Sequence, residues 1–324
     1  MTKYEKYGVL HVDSKGQLVD RRGETVVLRG FSSHGLSWYP EYINRDFFEF
    51  MQKEWKIDMV RLAMYTDEED GYCVAGEANK EKLLKVIDNG VKAATELGLY
   101  VIIDWHILMD SNPQIHKAEA LDFFEKVSKK YSAYGNVIYE ICNEPNVNCT
   151  WEDIKSYAEE VIPVIRANAL YNPILVGTGT WSQDLHLAWE NPITCDKNIL
   201  YVCHFYAATH KEELRQRLIE ARKRNFPVFV SEFGTMKADG TGGHDTEESE
   251  KWMKVLDEYN ISRAMWAFAN RDESCASFIP TCQKYTNGFT MDDLRDSARW
   301  YVGYLRNQAG ILGSSSAEMK ALHS

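Results

Sequence analysis

Asn136-Val137-Ile138-Tyr139-Glu140-Ile141-Cys142-Asn143-Glu144-Pro145 is a short, largely apolar run that ends on a carboxylate and is stopped at once by a proline. A second stretch, Pro227-Val228-Phe229-Val230-Ser231-Glu232-Phe233-Gly234, has the same plan, with Glu232 at its end and a glycine just beyond. Apolar runs of this length, rich in β-branched and aromatic residues and closed by Pro or Gly, read as buried parallel strands. They place Glu144 and Glu232 at the carboxyl ends of two strands, where barrel enzymes keep their reacting groups. Either glutamate alone has a second reading, as a cap on the helix that follows. The rest of the chain decides between the two.

Working outward, six more short runs have the same character: Val26 to Arg29, Met59 to Leu62, Tyr100 to Asp104, Ile174 to Val176, Ile199 to Cys203 and Ala264 to Ala267. Between them lie amphipathic stretches at helical spacing. Lys80 to Leu97 is one, stopped by Gly98 as a helix C′ residue. Ala120 to Tyr131, Ile154 to Ala169, Glu212 to Arg224, Glu247 to Tyr259 and Asp292 to Arg306 behave alike. Eight strands alternating with helices predict an α/β fold, a single (β/α)8 TIM barrel, preceded by an N-terminal β-hairpin (Leu10 to Val12, Gln17 to Val19) that plugs its bottom. The alternative, an open doubly wound sheet, wants a glycine-rich phosphate turn after the first strand. Arg29-Gly30-Phe31-Ser32-Ser33-His34 has no such GxGxxG pattern.

The chain has 324 residues, 44% apolar and 26% charged, with a net charge of −11. The acidic balance and the absence of a Lys/Arg run argue against nucleic acid as a partner. No apolar stretch approaches the ~20 residues of a membrane span, and the amino terminus lacks the apolar core of a signal peptide. Residues 1 to 307 read as one domain and 308 to 324 as a tail of linker or cloning residues. The seven cysteines show no metal-type CxxC spacing and are expected to be mostly free and buried. Cys275 and Cys282 flank a short loop, and whether they pair depends on geometry that sequence separation does not supply.

The strand ends carry polar and aromatic groups throughout: His34 and Trp38, Arg61 and Tyr65, Asp104 with Trp105 and His106, Asn143 and Glu144, Trp181, His204 and Tyr206, Glu232, and Trp266. A barrel turns all these ends toward one bowl. Two carboxylic acids held across a cleft are the minimum equipment for cleaving a glycosidic bond. An ionised nucleophile is favoured by Arg61 and a hydrogen bond from Tyr206, which suits Glu232. Glu144 opposite is then the acid, kept protonated by burial or by the negative charge of Glu232. When Glu232 becomes a neutral ester its field vanishes, and Glu144 is expected to turn into the base. Asn143 is expected to bond a sugar hydroxyl, with Trp266 or Trp38 stacking on a sugar face. A metal hydrolase built from His106, His204, Asp104 and Glu232 is the competing chemistry, but no HxH or HxxxH pair supports it.

These residues resemble glycoside hydrolase family 5, the retaining cellulases on a TIM barrel, and within it the bacterial endo-β-1,4-glucanase branch. The resemblance spans about residues 8 to 307. It rests on Leu28-Arg29-Gly30-Phe31-Ser32-Ser33-His34, Val60-Arg61-Leu62-Ala63-Met64-Tyr65, Ile103-Asp104-Trp105-His106, the Asn143-Glu144-Pro145 and Ser231-Glu232-Phe233-Gly234 segments, Gly177 to Gln183, His204-Phe205-Tyr206 and Trp266 through Ser274. It implies Glu144 as acid/base and Glu232 as nucleophile, with Arg61, His106, Asn143, His204, Tyr206 and Trp266 around the cleaved sugar. His34, Trp38, Tyr65, Arg271 and Glu273 would line the negative subsites, and Trp181 the positive side. It further implies endo-hydrolysis of β-1,4-glucan with retention, no cofactor and no metal, a monomer, no nucleic-acid or membrane partner, and a secreted enzyme. Phe233 departs from the usual Trp, and Arg271 from the usual Lys, which keeps a mannanase or a broader glucanase and xylanase open. A non-catalytic carbohydrate-binding barrel is the remaining alternative. No role is assigned to the loop from Asp70 to Asn79.

Overall fold

A computed structural model describes residues 1–311. From residue 312 onward the expected tail lies outside the described residues, and Gln308 belongs to the last helix. Eight parallel strands close into a barrel: β1 (Arg29–Ser33), β2 (Met59–Tyr65), β3 (Tyr100–His106), β4 (Val137–Glu140), β5 (Ile174–Val176), β6 (Ile199–Val202), β7 (Val228–Gly234) and β8 (Arg263–Phe268). Each pairs with the next, and β8 pairs with β1 to close the ring. A two-residue extension, Phe205–Tyr206, continues the path of β6 alongside the end of β7. The first strand starts three residues later than the Val26 expected, because the Leu28 amide is taken by the Ser262 hydroxyl and the barrel ladder begins at Arg29.

Strand alternation sorts the side chains. In β2, Val60, Leu62 and Met64 pack outward in the main core beneath the helices, whereas Met59 joins a smaller cluster inside the barrel. That inner cluster contains Tyr100, Ile102, Ile138, Leu175, Val202 and Phe229, closed from below by Leu10 and Leu18 of the hairpin (His11–Val12 with Leu18–Val19). The hairpin does plug the barrel, as its apolar pattern predicts.

The helices follow from their caps and stripes. Trp151–Arg166 begins with a capping box, the Thr150 hydroxyl and the Asp153 carboxylate each serving the other's backbone amide. It buries Ile154, Tyr157, Ala158, Val161, Ile162 and Ile165 on one face. Glu77–Leu97 ends at Gly98 in the left-handed conformation, as expected. The sequence reading missed a helix at Lys3–Tyr7, another at Arg45–Phe50 and one at Leu185–Glu190, all too short for periodicity to register. All seven cysteines are free, so Cys275 and Cys282 do not pair; Cys73 and Cys149 are half-buried and Cys195 is exposed.

Candidate active site

Above the apolar inner cluster, the inward face of the same strands changes character. Arg61, two residues beyond Met59 in β2, is fully buried and carries the positive charge of the floor. Its Nε and Nη2 donate to the two oxygens of Glu140 at 2.8 and 3.1 Å, and Nη1 donates to Glu232 Oε2 at 3.1 Å. Nη2 also reaches Asn143 Oδ1 at 2.6 Å and Asp104 Oδ2 at 3.0 Å. Burial disfavours the cation, but Asp104, Glu140 and Glu232 more than offset this and raise its pKa.

Glu232 comes to this floor through a break in the alternation. Val230 pairs with Arg263 and Phe233 with Met265, so three steps on β7 match two on β8. Val230 and Phe233 both pack in the outer core, and the bulge turns Ser231 and Glu232 together toward the interior. Tyr206 donates its hydroxyl to Glu232 Oε1 at 2.7 Å. A side chain at position 234 would strike the Tyr206 ring, since a Cβ there would lie 2.3 Å from it, so Gly234 is what lets the phenol reach the carboxylate. Phe233 stacks on Phe205 and meets Tyr301 edge-on, away from the cleft.

Glu144, beyond the end of β4, is paired with His204, whose Nδ1 lies 2.9 Å from Glu144 Oε1. Burial pushes the Glu144 carboxyl up to about 8, against the pull of Arg61 and with added repulsion from Asp104 and Glu140. Of the two expected causes burial is thus the larger, and Glu232 lies within 4.8 Å as the neighbouring carboxylate. Burial also depresses His204 to about 4, so its imidazole is neutral. Glu144, His204 and Glu232 each present an N or O atom within 4.8 Å of the others. The metal reading fares poorly on the same ground: Arg61 lies 3.1 Å from Glu232, and both His204 nitrogens are already engaged. His106 instead faces Asp104, Nδ1 to Oδ2 at 2.5 Å.

A cleft of about 830 Å³ opens over this floor. Twelve of the fourteen residues singled out from sequence line it: His34, Trp38, Tyr65, His106, Glu144, Trp181, His204, Tyr206, Glu232, Trp266, Arg271 and Glu273. The other two, Arg61 and Asn143, lie beneath. Asn143 donates its amide to His106 Nε2 and the Ile107 carbonyl and accepts from Arg61 on its oxygen, bonds that hold the floor. Trp266 lies parallel to His106 with centroids 5.1 Å apart, and Trp38 packs on Tyr65 at 4.7 Å. Glu273 takes His34 Nε2 on one oxygen and Arg271 Nε on the other, at 3.1 and 3.0 Å. Despite burial, these bonds hold its carboxyl below the usual range.

The loop that begins at Asp70 has a structural task after all. The Trp38 indole donates to the Glu69 carbonyl at 3.1 Å and the Ser37 hydroxyl to the Asp70 carbonyl at 2.6 Å, bracing the cleft wall from behind. Trp181 is presented differently, from three consecutive residues, Thr180 to Ser182, with φ between 54° and 56°. It is 40% exposed. Sequence reasoning missed Glu140 and Ser231. The signal for Glu140 was available, a charge in the middle of a buried apolar strand; the bulge that recruits Ser231 left none.

Comparison with known proteins agrees with this geometry. Residues 19–272 match the family model for cellulase, glycosyl hydrolase family 5. Endoglucanase A of Butyrivibrio fibrisolvens is 45% identical over 302 residues, 93% of this chain and 69% of that protein. An endoglucanase of Clostridium saccharobutylicum is 43% identical over 282 residues, 87% of this chain and 61% of its own length. The chain thus spans roughly two thirds of these relatives. The catalytic domain of Thermobifida fusca endoglucanase Cel5A superposes with a TM-score of 0.89 at 36% identity, covering 94% of this chain and all of that domain. A variant of that domain has been solved with cellotetraose, TM-score 0.88 at 35% identity, with the same coverage.

Proposed function

Given that the chain belongs to glycosyl hydrolase family 5, the cellulase family, we propose that it is an endo-β-1,4-glucanase that cleaves by two displacements with net retention. The observation that carries this reading is the proximity of Glu144 and Glu232, whose nearest oxygens lie within 4.8 Å. Retention asks for carboxyl groups about 5 to 5.5 Å apart, whereas inversion needs about 6.5 Å or more to admit a water. Their surroundings then divide the work. Glu232, between the Arg61 guanidinium and the Tyr206 hydroxyl, is the nucleophile that attacks the anomeric carbon. Glu144, neutral up to about pH 8 through burial, delivers its proton to the departing oxygen. In the second step the ionised Glu144 takes a proton from water as the glycosyl ester on Glu232 breaks.

Carboxymethylcellulose incubated with the protein should release reducing ends, and proton NMR of the first product should show the β-anomer. An α-anomer would overturn retention, and no release from a folded sample that binds cellooligosaccharide would favour a binding protein. One observation supports a second reading, a broader glucanase active on xylan or mannan. Arg271 is tied through Nε to Glu273, in a pair with His34, and a planar guanidinium there reads sugar hydroxyls differently from a lysine. Initial rates on mixed-linkage glucan, xylan and mannan decide between the two. We further propose that the enzyme works outside the cell, because a polymer substrate is too large to cross a membrane, and that it acts as a monomer.

A further inference from the structure

A buried chain of hydrogen bonds links the acid to a carboxylate that no sugar can reach. Glu140 is fully buried and receives two N–H groups of the Arg61 fork, one on each oxygen. The guanidinium has only N–H donors to offer, so Glu140 accepts on both oxygens. Its Oε1 also lies 2.7 Å from the Ser231 hydroxyl. Ser231 has a single proton, and giving it to Glu140 leaves Oγ as an acceptor. That oxygen is 2.9 Å from His204 Nε2. A neutral imidazole has one N–H, and here it must sit on Nε2, leaving Nδ1 bare against Glu144 Oε1.

We propose that Ser231 is a positioning residue for the acid: by donating to Glu140 it fixes His204 as the Nε2–H tautomer, and His204 Nδ1 then accepts the proton of Glu144. The inference rests on Glu144 being the acid/base. A hydrogen bond to the protonated carboxyl favours that form, so the relay stabilises Glu144 as an acid. The β7 bulge is what makes it possible, because regular alternation would turn Ser231 and Glu232 to opposite faces.

The charged and titratable groups facing the His204–Glu144 pair are Arg61 and Tyr65 from β2, Asp104 and His106 from β3, and Glu140 from β4. Glu232 faces it from β7, with Tyr206 and His210 on the segment after β6. Of these only Glu140, at 3.9 Å, approaches Nε2, and it does so behind Ser231. Without the Ser231 hydroxyl, His204 can place its proton on Nδ1 and donate to ionised Glu144, which reverses the preference.

The direct test is nitrogen-15 NMR of the wild-type protein near pH 6. His204 should show a protonated Nε2 and an unprotonated Nδ1, and a proton on Nδ1 would overturn the proposal whatever the activity. The second readout is the pH profile of kcat/KM. In Ser231→Ala the alkaline limb should move to lower pH by about one unit, while Ser231→Thr, which keeps the hydroxyl, should retain the parental limb. An unshifted limb in active Ser231→Ala would also overturn it. A wild-type protein without glucanase activity would instead remove the functional reading, leaving the tautomer result to stand by itself.

Discussion

At the lower end of the barrel the inward side chains Met59, Ile102, Ile138, Leu175, Val202 and Phe229 are wholly apolar and close against Leu10 and Leu18. One layer higher, β2, β3, β4 and β7 turn Arg61, Asp104, Glu140 and Ser231 inward. Backbone and burial hardly differ between the layers, yet one is free of charge and the other holds a cation among acids. The lower layer gains stability from every methylene it removes from water. The upper one keeps charges out of water only because each is matched, and breaking one match leaves the others uncompensated. Stability and chemistry are thus stacked on the same strands, and the fold concentrates its electrostatic cost where substrate enters.

The sharpest break lies in the upper layer. Glu232→Gln should lose more activity than Glu144→Gln, whose loss should be about 10²- to 10⁴-fold, the usual contribution of general acid catalysis. Mass spectrometry should find no glycosyl-enzyme in the Glu232 variant, and recovering one would remove it as nucleophile. Arg61→Met should cost about 3 to 5 kcal/mol of stability, because Glu140, Asp104 and Glu232 lose their shared cation, and activity should fall with it. Ile102→Ala should cost about 2 to 5 kcal/mol through its cavity, yet leave turnover per folded molecule unchanged. If both variants lowered turnover alike in chemical denaturation and initial-rate measurements, the separation of the layers would fail.

Acidity offers a finer test. The Glu144 carboxyl is pushed up to about 8, so kcat should fall as pH rises through that value and the acid is lost. The same shift has a consequence for stability. The folded value lies above the ordinary 4.5, so the folded state binds more protons between the two. The contribution is present in full below about pH 4.5 and is lost as pH rises to about 8. Glu144→Gln cannot ionise and should gain Tm relative to the parent across that window. A Tm difference that stays constant from acid to alkaline pH would contradict the burial of the acid.

The smallest effect is expected at the rim. Trp181 sits in a left-handed stretch, a conformation that costs a non-glycine residue about 1 to 2 kcal/mol. Trp181→Gly should raise KM by about 2- to 10-fold, as one lost aromatic contact of ~0.5 to 1.5 kcal/mol implies. It should also stabilise the protein slightly, and a lowered Tm would argue against strain at this turn.

Much of this was legible in the chain. The apolar runs and their Pro and Gly stops gave the barrel, since strand and helix periods are local properties and eight alternations leave few ways to fold. The strand ends gave ten residues of the cleft, because a closed barrel turns every such end toward one side, and the family resemblance added Arg271 and Glu273. Short helices at Lys3–Tyr7 and Leu185–Glu190 were not legible, since they are shorter than a period count can resolve.

What the sequence by itself determined is that Glu144 and Glu232 end two strands of one barrel, with Arg61 and Tyr206 in the same company. What only the tertiary structure decided is how the two acids differ. Burial and the acids Asp104 and Glu140 lift Glu144, and a bulge absent from any local pattern turns Glu232 and Ser231 to the same side. Asn143 works beneath the floor. These outcomes depend on distances between residues far apart in the chain, and electrostatic coupling and register are set only when the strands meet.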